Sequence, residues 1–324
     1  MKIFEQLYRQ NFITQQQLDK IKQQDEQPVS VHWDVRTLLY PGILLVTTAL
    51  GILVYENIDT IGHTAIIITI GVACAACFMY CFRKANKYAH VKVESPNILF
   101  DYILLTACLL LLTFMGYLQY QYNVFGARWG LAVFIPMVIL FFCAYYFDHI
   151  GVLSIAITNL ATWLGITVTP VQILKQNDFS SDHIIYTGII SGVALVVFST
   201  ITQQKNIKAH FAFTYKNFGA NILFIALLAA MFNHHNIYLI WFIAILLVAY
   251  WLFNNAVKEN VFYFLVISIL YAYIALCYVV IELLILIADE GSLYLGTIYF
   301  IGSGIGLIRL LMYYNKKLKH DAGI

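Results

Sequence analysis

Val54–His63 reads VYENIDTIGH and parts two long apolar runs, residues 38–55 and 63–82. It carries Glu56, Asn57, Asp59 and His63 and no lysine or arginine. A short polar break between runs of this length predicts a helical hairpin that crosses a membrane twice. About 20 apolar residues rising 1.5 Å each cover a hydrocarbon core of about 30 Å. The same pattern continues along the chain at 98–120, 128–147, 150–169, 183–202, 216–232, 236–253, 261–288 and 293–314. The expected fold class is therefore all-α, a polytopic transmembrane helical bundle of about ten spans.

Composition supports this class. The 324 residues are 61% hydrophobic and 11% charged, with a mean hydropathy of +0.77, whereas a soluble domain carries about 25% charged residues. There is too little polar surface to cover the chain in water. The lipid bilayer is the expected surrounding, and the lack of a basic tract gives no ground for a nucleic-acid partner. The first residues lack the basic, apolar, small-residue order of a cleaved secretory signal. All six cysteines fall in apolar runs, so no disulfide framework is expected. Cys74, Cys77 and Cys81 share a helix face, which suits close helix packing or a soft metal, the packing role being the simpler.

Orientation follows from the basic residues. With the N-terminus cytoplasmic, all of the 19 lysines and arginines except Arg128 and Lys175 fall on the inner side, as the positive-inside bias requires. An even number of spans then puts both termini in the cytoplasm. Acidic Glu56, Asp59, Asp178, Asp182, Asp289 and Glu290 mark the other face. VYENIDTIGH is thus the first outer turn, with Asn57 and Asp59 suited to close it or cap the next helix.

Residues 1–30 form a soluble-looking segment ahead of the membrane domain, 31–324. Ile3, Phe4, Leu7 and Tyr8 have helical spacing, and Thr14 with Gln17 reads as the capping box of a second helix continued by Leu18 and Ile21. Such a hairpin buries little area alone. Docking on a partner, on a second copy or on the membrane domain is expected. LYRQNFITQQQLDKI, followed by LLYPGILLVTTALGILVYENIDTIG, resembles the start of bacterial membrane proteins grouped as the domain of unknown function 2157 family. Asn57 corresponds to the asparagine of that family's first turn, while Asn11 stands where a glycine is usual and Ile58 where an aromatic is usual. The resemblance implies a multi-pass protein of the bacterial cytoplasmic (inner) membrane and brings no established activity.

Polar groups inside hydrocarbon are costly and therefore candidates for function. Asn159, beside Thr158 and Thr162, falls near the middle of the fifth run, where a substrate or ion pathway and simple interhelical glue both fit. Glu282 lies toward the outer end of the ninth run, with Arg128 as its sole evident cation. Asp148 and His149 form the tight turn between the fourth and fifth runs. They could relay protons, although neighbours on a turn normally face water and cap helices. Asp101 is expected to be an interfacial charge near a helix start. Adjacent His234 and His235 point apart on a short turn, and no metal site is expected. Pro136 should kink the fourth span, and Gly302–Gly306, GSGIG, follows close-packing logic rather than phosphate cradling. No catalytic motif is present, so an enzyme is not expected, and no cofactor is implied.

Two classes of function stay open. One is a small-molecule or lipid transporter with its site near the bilayer midplane, as ten spans split into inverted halves would allow. The other is a scaffold or sensor that binds a partner through residues 1–30. A membrane enzyme would have to draw on Asp148 and His149, or on Glu56, Asp59 and His63.

Overall fold

The computed structural model describes residues 41–42, 44–46, 48–49, 51–52, 62–168, 181–287 and 290–321. The chain divides into two compact units, 1–66 and 67–324. In the first, helical residues lie between 41 and 52, and the Ile66 N–H donates to the Gly62 carbonyl as the next helix begins. The expected hairpin over 1–30, most of the expected span at 38–55, and Glu56, Asn57 and Asp59 lie outside the described residues.

Nine helices among the described residues are long and apolar enough to cross a membrane. They are α1 His63–Lys84, α2 Ile98–Tyr122, α3 Trp129–Phe147, α4 Ile150–Val168, α5 Asp182–Gln204, α6 Ala212–Asn233, α7 Tyr238–Lys258, α8 Phe262–Ile287 and α9 Glu290–Asp321. Each overlies one of the apolar runs from 63 onward, so the all-α polytopic bundle is the fold. Short 3₁₀ turns, Ala209–Phe211 and His235–Ile237, lead into α6 and α7.

The helix ends follow from local chemistry. Asn97 caps α2 by accepting from the Phe100 N–H at 2.7 Å. Asn123 and Asp148 end α2 and α3 in the left-handed conformation, which short polar side chains tolerate best after glycine. Buried Gln119 stitches the α2–α3 turn. Its Nε2 donates to Asn123 Oδ1 and the Gly126 carbonyl, and its Oε1 accepts from the Phe125 N–H. Pro136 sits inside the continuous helix α3.

From α2 onward consecutive helices pack as neighbours, most closely α5 on α6, α3 on α4 and α7 on α8. At the α5–α6 seam a Cβ on Gly192 would lie 2.8 Å from the Leu223 backbone nitrogen, and one on Gly219 2.9 Å from that of Val196. Gly188, one turn earlier on α5, faces Ala226 equally closely. The seam is a small-residue contact in which backbones touch. The close packing expected at Gly302–Gly306 is not seen among the described residues: a Cβ on Gly302, Gly304 or Gly306 would meet none of them within 4 Å.

Helix α6 is the inner member of the bundle. Its hydropathy of 1.4 is the lowest of the nine spans, yet it is the most buried, and it touches α4, α5, α7 and α8. The two facts have one cause. Its polar side chains would be costly against lipid and are turned into protein. The other spans face outward with large apolar residues such as Ile190, Leu247 and Ile301, as lipid contact requires.

Candidate functional site

The ends of the helices carry very different chemistry. Arg83, Lys84, Lys92, Lys208, Lys216 and Lys258 gather where α1, α3, α5 and α7 end and α2, α4, α6 and α8 begin. This end is called the basic face below.

Asp148 is the hub of that face. The left-handed turn at the end of α3 aims its carboxylate inward, and the side chain is 1% exposed. Oδ2 accepts from the Val93 N–H and from Lys208 Nζ at 3.0 Å, and Oδ1 pairs with His210 Nε2 at 2.6 Å. Lys208 itself is fully buried. Its backbone N–H donates to the His90 carbonyl, its Nζ also donates to the Val91 carbonyl, and Nζ lies 5.2 Å from the centre of the Tyr88 ring. Lys208 adopts φ 50°, a left-handed conformation that costs about 1–2 kcal/mol for a residue with a Cβ, and these contacts hold it there. One carboxylate thus clasps three segments: residues 88–93, the α3–α4 turn and the α5–α6 link.

The expectation that Asp148 and His149 face water is corrected by this geometry. His149 is also largely buried. Its Nδ1 accepts from the Val152 N–H and caps α4, which leaves the ring proton on Nε2, 3.7 Å from Asp101 Oδ1. The turn therefore carries two carboxylate–histidine couples, Asp148 with His210 and Asp101 with His149.

A second polar strip runs along α6. Lys216 Nζ meets both Glu259 oxygens at 2.8 and 2.9 Å and lies 5.2 Å from the centre of the Phe264 ring. Asn217 Oδ1 accepts from the Tyr263 hydroxyl, Asn221 Nδ2 reaches Asn217, and Asn221 Oδ1 accepts from the Tyr271 hydroxyl. Sequence reasoning missed Lys208, His210, Asn217 and Asn221 as site residues. The signal for the two asparagines was polarity inside an apolar run, the criterion that singled out Asn159.

The Asn159 Nδ2 donates to the Val133 carbonyl of α3 at 3.0 Å, in the turn where Pro136 offers no N–H to Ala132. Thr158 and Thr162 donate to carbonyls four residues back in their own helix. The trio is therefore bonded within α3 and α4. Asn159→Leu is expected to lower stability by about 0.6 kcal/mol, the mean for interhelical bonds in lipid. A detergent thermal melt checks this, and loss of folded protein would contradict it.

Glu282 has a partner that the sequence did not reveal, His235, whose Nδ1 lies 3.6 Å away and also bonds the Tyr278 hydroxyl. His234 turns to Asp182 at 3.3 Å, and His63 opens α1. Among the described residues no three His, Cys, Asp or Glu converge as a metal site would need. Cys81, Cys108 and Cys143 pack in one apolar core.

Beside the clasp, a cleft of about 580 Å³ runs between α3, α4, α5 and α6, within the range of small-molecule sites. Along α5 it extends from Thr187 to Phe198, about 16 Å at 1.5 Å per residue. Its rim residues Ile190 and Phe198 are 70% and 44% exposed, so it opens sideways at the surface of the bundle. Its walls are apolar except for Thr187, Ser191 and, at the basic-face end, Tyr145 and Tyr215, whose hydroxyls lie 3.0 Å apart. Phe211, next to His210, packs edge-on against Tyr145 and so links clasp and cleft.

Residues 5–153 match the model of a family described as predicted membrane protein, DUF2157. No curated protein and no solved structure matches the chain.

Proposed function

We propose, with this match to predicted membrane proteins as the premise, that the chain is a multi-pass protein of the bacterial cytoplasmic membrane that takes up a lipid-like molecule and moves it across part of the bilayer. The single observation that carries the proposal is the cleft between α3, α4, α5 and α6. It covers about 16 Å of a core about 30 Å thick and opens where acyl chains would lie. Ion coupling finds less support, because Asn159 bonds a carbonyl of α3, Thr158 and Thr162 bond carbonyls of their own helix, and the charged pairs lie toward the helix ends. The basic face is then cytoplasmic, with both termini on that side. Binding and movement, without bond chemistry, account for the arrangement.

The test is movement of a fluorescent lipid between leaflets of vesicles that contain the full chain. Ser191→Trp and Ala194→Trp put bulk into the cleft from α5. Each is expected to slow movement about tenfold, equivalent to 1.4 kcal/mol, while the protein stays folded. Wild-type vesicles no faster than empty ones would sink the proposal. Function would then rest on a scaffold or sensor that docks a partner through residues 1–30.

A further inference from the structure

Resting on the cleft as a lipid site, we infer that its occupant is a membrane lipid with a long apolar tail and an uncharged head that accepts a hydrogen bond through a carbonyl. A lipid carrying a phosphate is disfavoured. Three observations converge on this chemistry.

The first is the wall. Among the described residues none that lines the cleft is charged. A phosphate drawn against this wall would lose its hydration with nothing to neutralise it.

The second is the basic-face end. Tyr145 precedes Asp148 by three residues, so a head lying just past the tyrosines would reach the depth of the clasp. Three basic side chains at this end are already engaged. Lys208 and His210 both pair with Asp148, and Lys216 pairs with Glu259. Freeing Lys208 for a phosphate would leave Asp148 buried with one partner fewer and would break its ammonium contacts to residues 88–93.

The third is what the tyrosines offer. In a pair of hydroxyls 3.0 Å apart one donates to the other, and the acceptor of that bond keeps its own proton for a further partner. One neutral donor at the basic-face end of an apolar cleft matches a carbonyl acceptor. The surroundings are aromatic: Tyr145 packs on Phe211, and Tyr215 meets Phe198 edge-on with ring centres 4.9 Å apart. Such rings favour a flat or weakly polar head over a hydrated one.

The experiment is native mass spectrometry of the full chain offered equal amounts of a short-chain ubiquinone, dioctanoylglycerol and dioctanoyl phosphatidylglycerol. Retention of a neutral lipid about tenfold or more above the phosphate lipid, reduced about threefold to tenfold in the double variant Tyr145→Phe with Tyr215→Phe, supports the inference. The first two arms tell a quinone carbonyl from an ester carbonyl. Equal or stronger retention of phosphatidylglycerol, abolished by Ser191→Trp, overturns the inference and leaves the cleft as a lipid site. Retention of all three that Ser191→Trp does not change, or retention of none, overturns both. A melting curve for each variant separates lost binding from lost folding, and either single Tyr→Phe variant substitutes if the double variant does not fold.

Discussion

Replacing Asp148 with alanine is expected to destabilise the protein by about 3–5 kcal/mol, the cost of removing one member of a buried ion pair. The loss exceeds one contact because the carboxylate serves three donors, the Val93 N–H, Lys208 and His210. It strands an ammonium that is fully buried and already sits in a left-handed backbone. Asp148→Asn keeps the shape and the tolerance of the left-handed turn but not the charge, and should recover part of the loss. Adding Lys208→Met to Asp148→Asn should recover more, because no uncompensated charge is then left inside. The measurement is the thermal midpoint of detergent-solubilised protein across this cycle. Additive single effects would show that the two side chains do not act on each other and that the clasp holds nothing together.

The second large effect is expected at the α5–α6 seam. Leucine at Gly192 has no room, since the very first side-chain atom would fall 2.8 Å from the backbone of Leu223. The neighbour is main chain and cannot rotate away, so the helices must separate along their whole contact. Overpacking of this kind costs about 1–3 kcal/mol and more where backbone blocks the way. Gly192→Leu should therefore abolish accumulation of folded protein, and Gly192→Ala should lower the melting midpoint clearly. Gly304→Ala is the contrast. Its Cβ would meet nothing within 4 Å among the described residues, and in a helix interior alanine is favoured over glycine by about 1 kcal/mol. The pair is scored by monodisperse yield and melting midpoint. Equal damage from Gly192→Ala and Gly304→Ala would contradict the contrast.

Spans were legible in the sequence because lipid imposes a length and a polarity on every crossing, and the run at 63–82 or 98–120 needs no partner to be recognised. Pairing was not. Asp148 and His149 could be placed on a turn, but the turn could not disclose that Lys208 and His210 return to it, since those residues lie in a separate basic loop that is plausible as a solvated one. The partner of Glu282 was hidden for the same reason, because its histidine belongs to another hairpin. Asn159 fared better, as interhelical glue was one of the two roles its position allowed. Close packing was read at one set of glycines and, among the described residues, is found at another. GSGIG is the denser cluster, whereas Gly188 and Gly192 are spaced four apart and share one face of α5, the feature that lets two helix backbones meet.

The clasp also constrains how the chain can be made. Asp148 emerges from the ribosome 62 residues ahead of its partner His210. At about 5–20 residues per second the carboxylate waits about 3–12 s for that partner, while α4 and α5 are still being inserted. During that interval α1 to α4 form an intermediate with an unneutralised acid at its edge. A chain stalled or truncated before Lys208 would keep that acid exposed. Arrival of the α5–α6 link, with Lys208 and His210, is then the step at which a nascent chain stops looking unfinished to the machinery that removes unassembled membrane proteins.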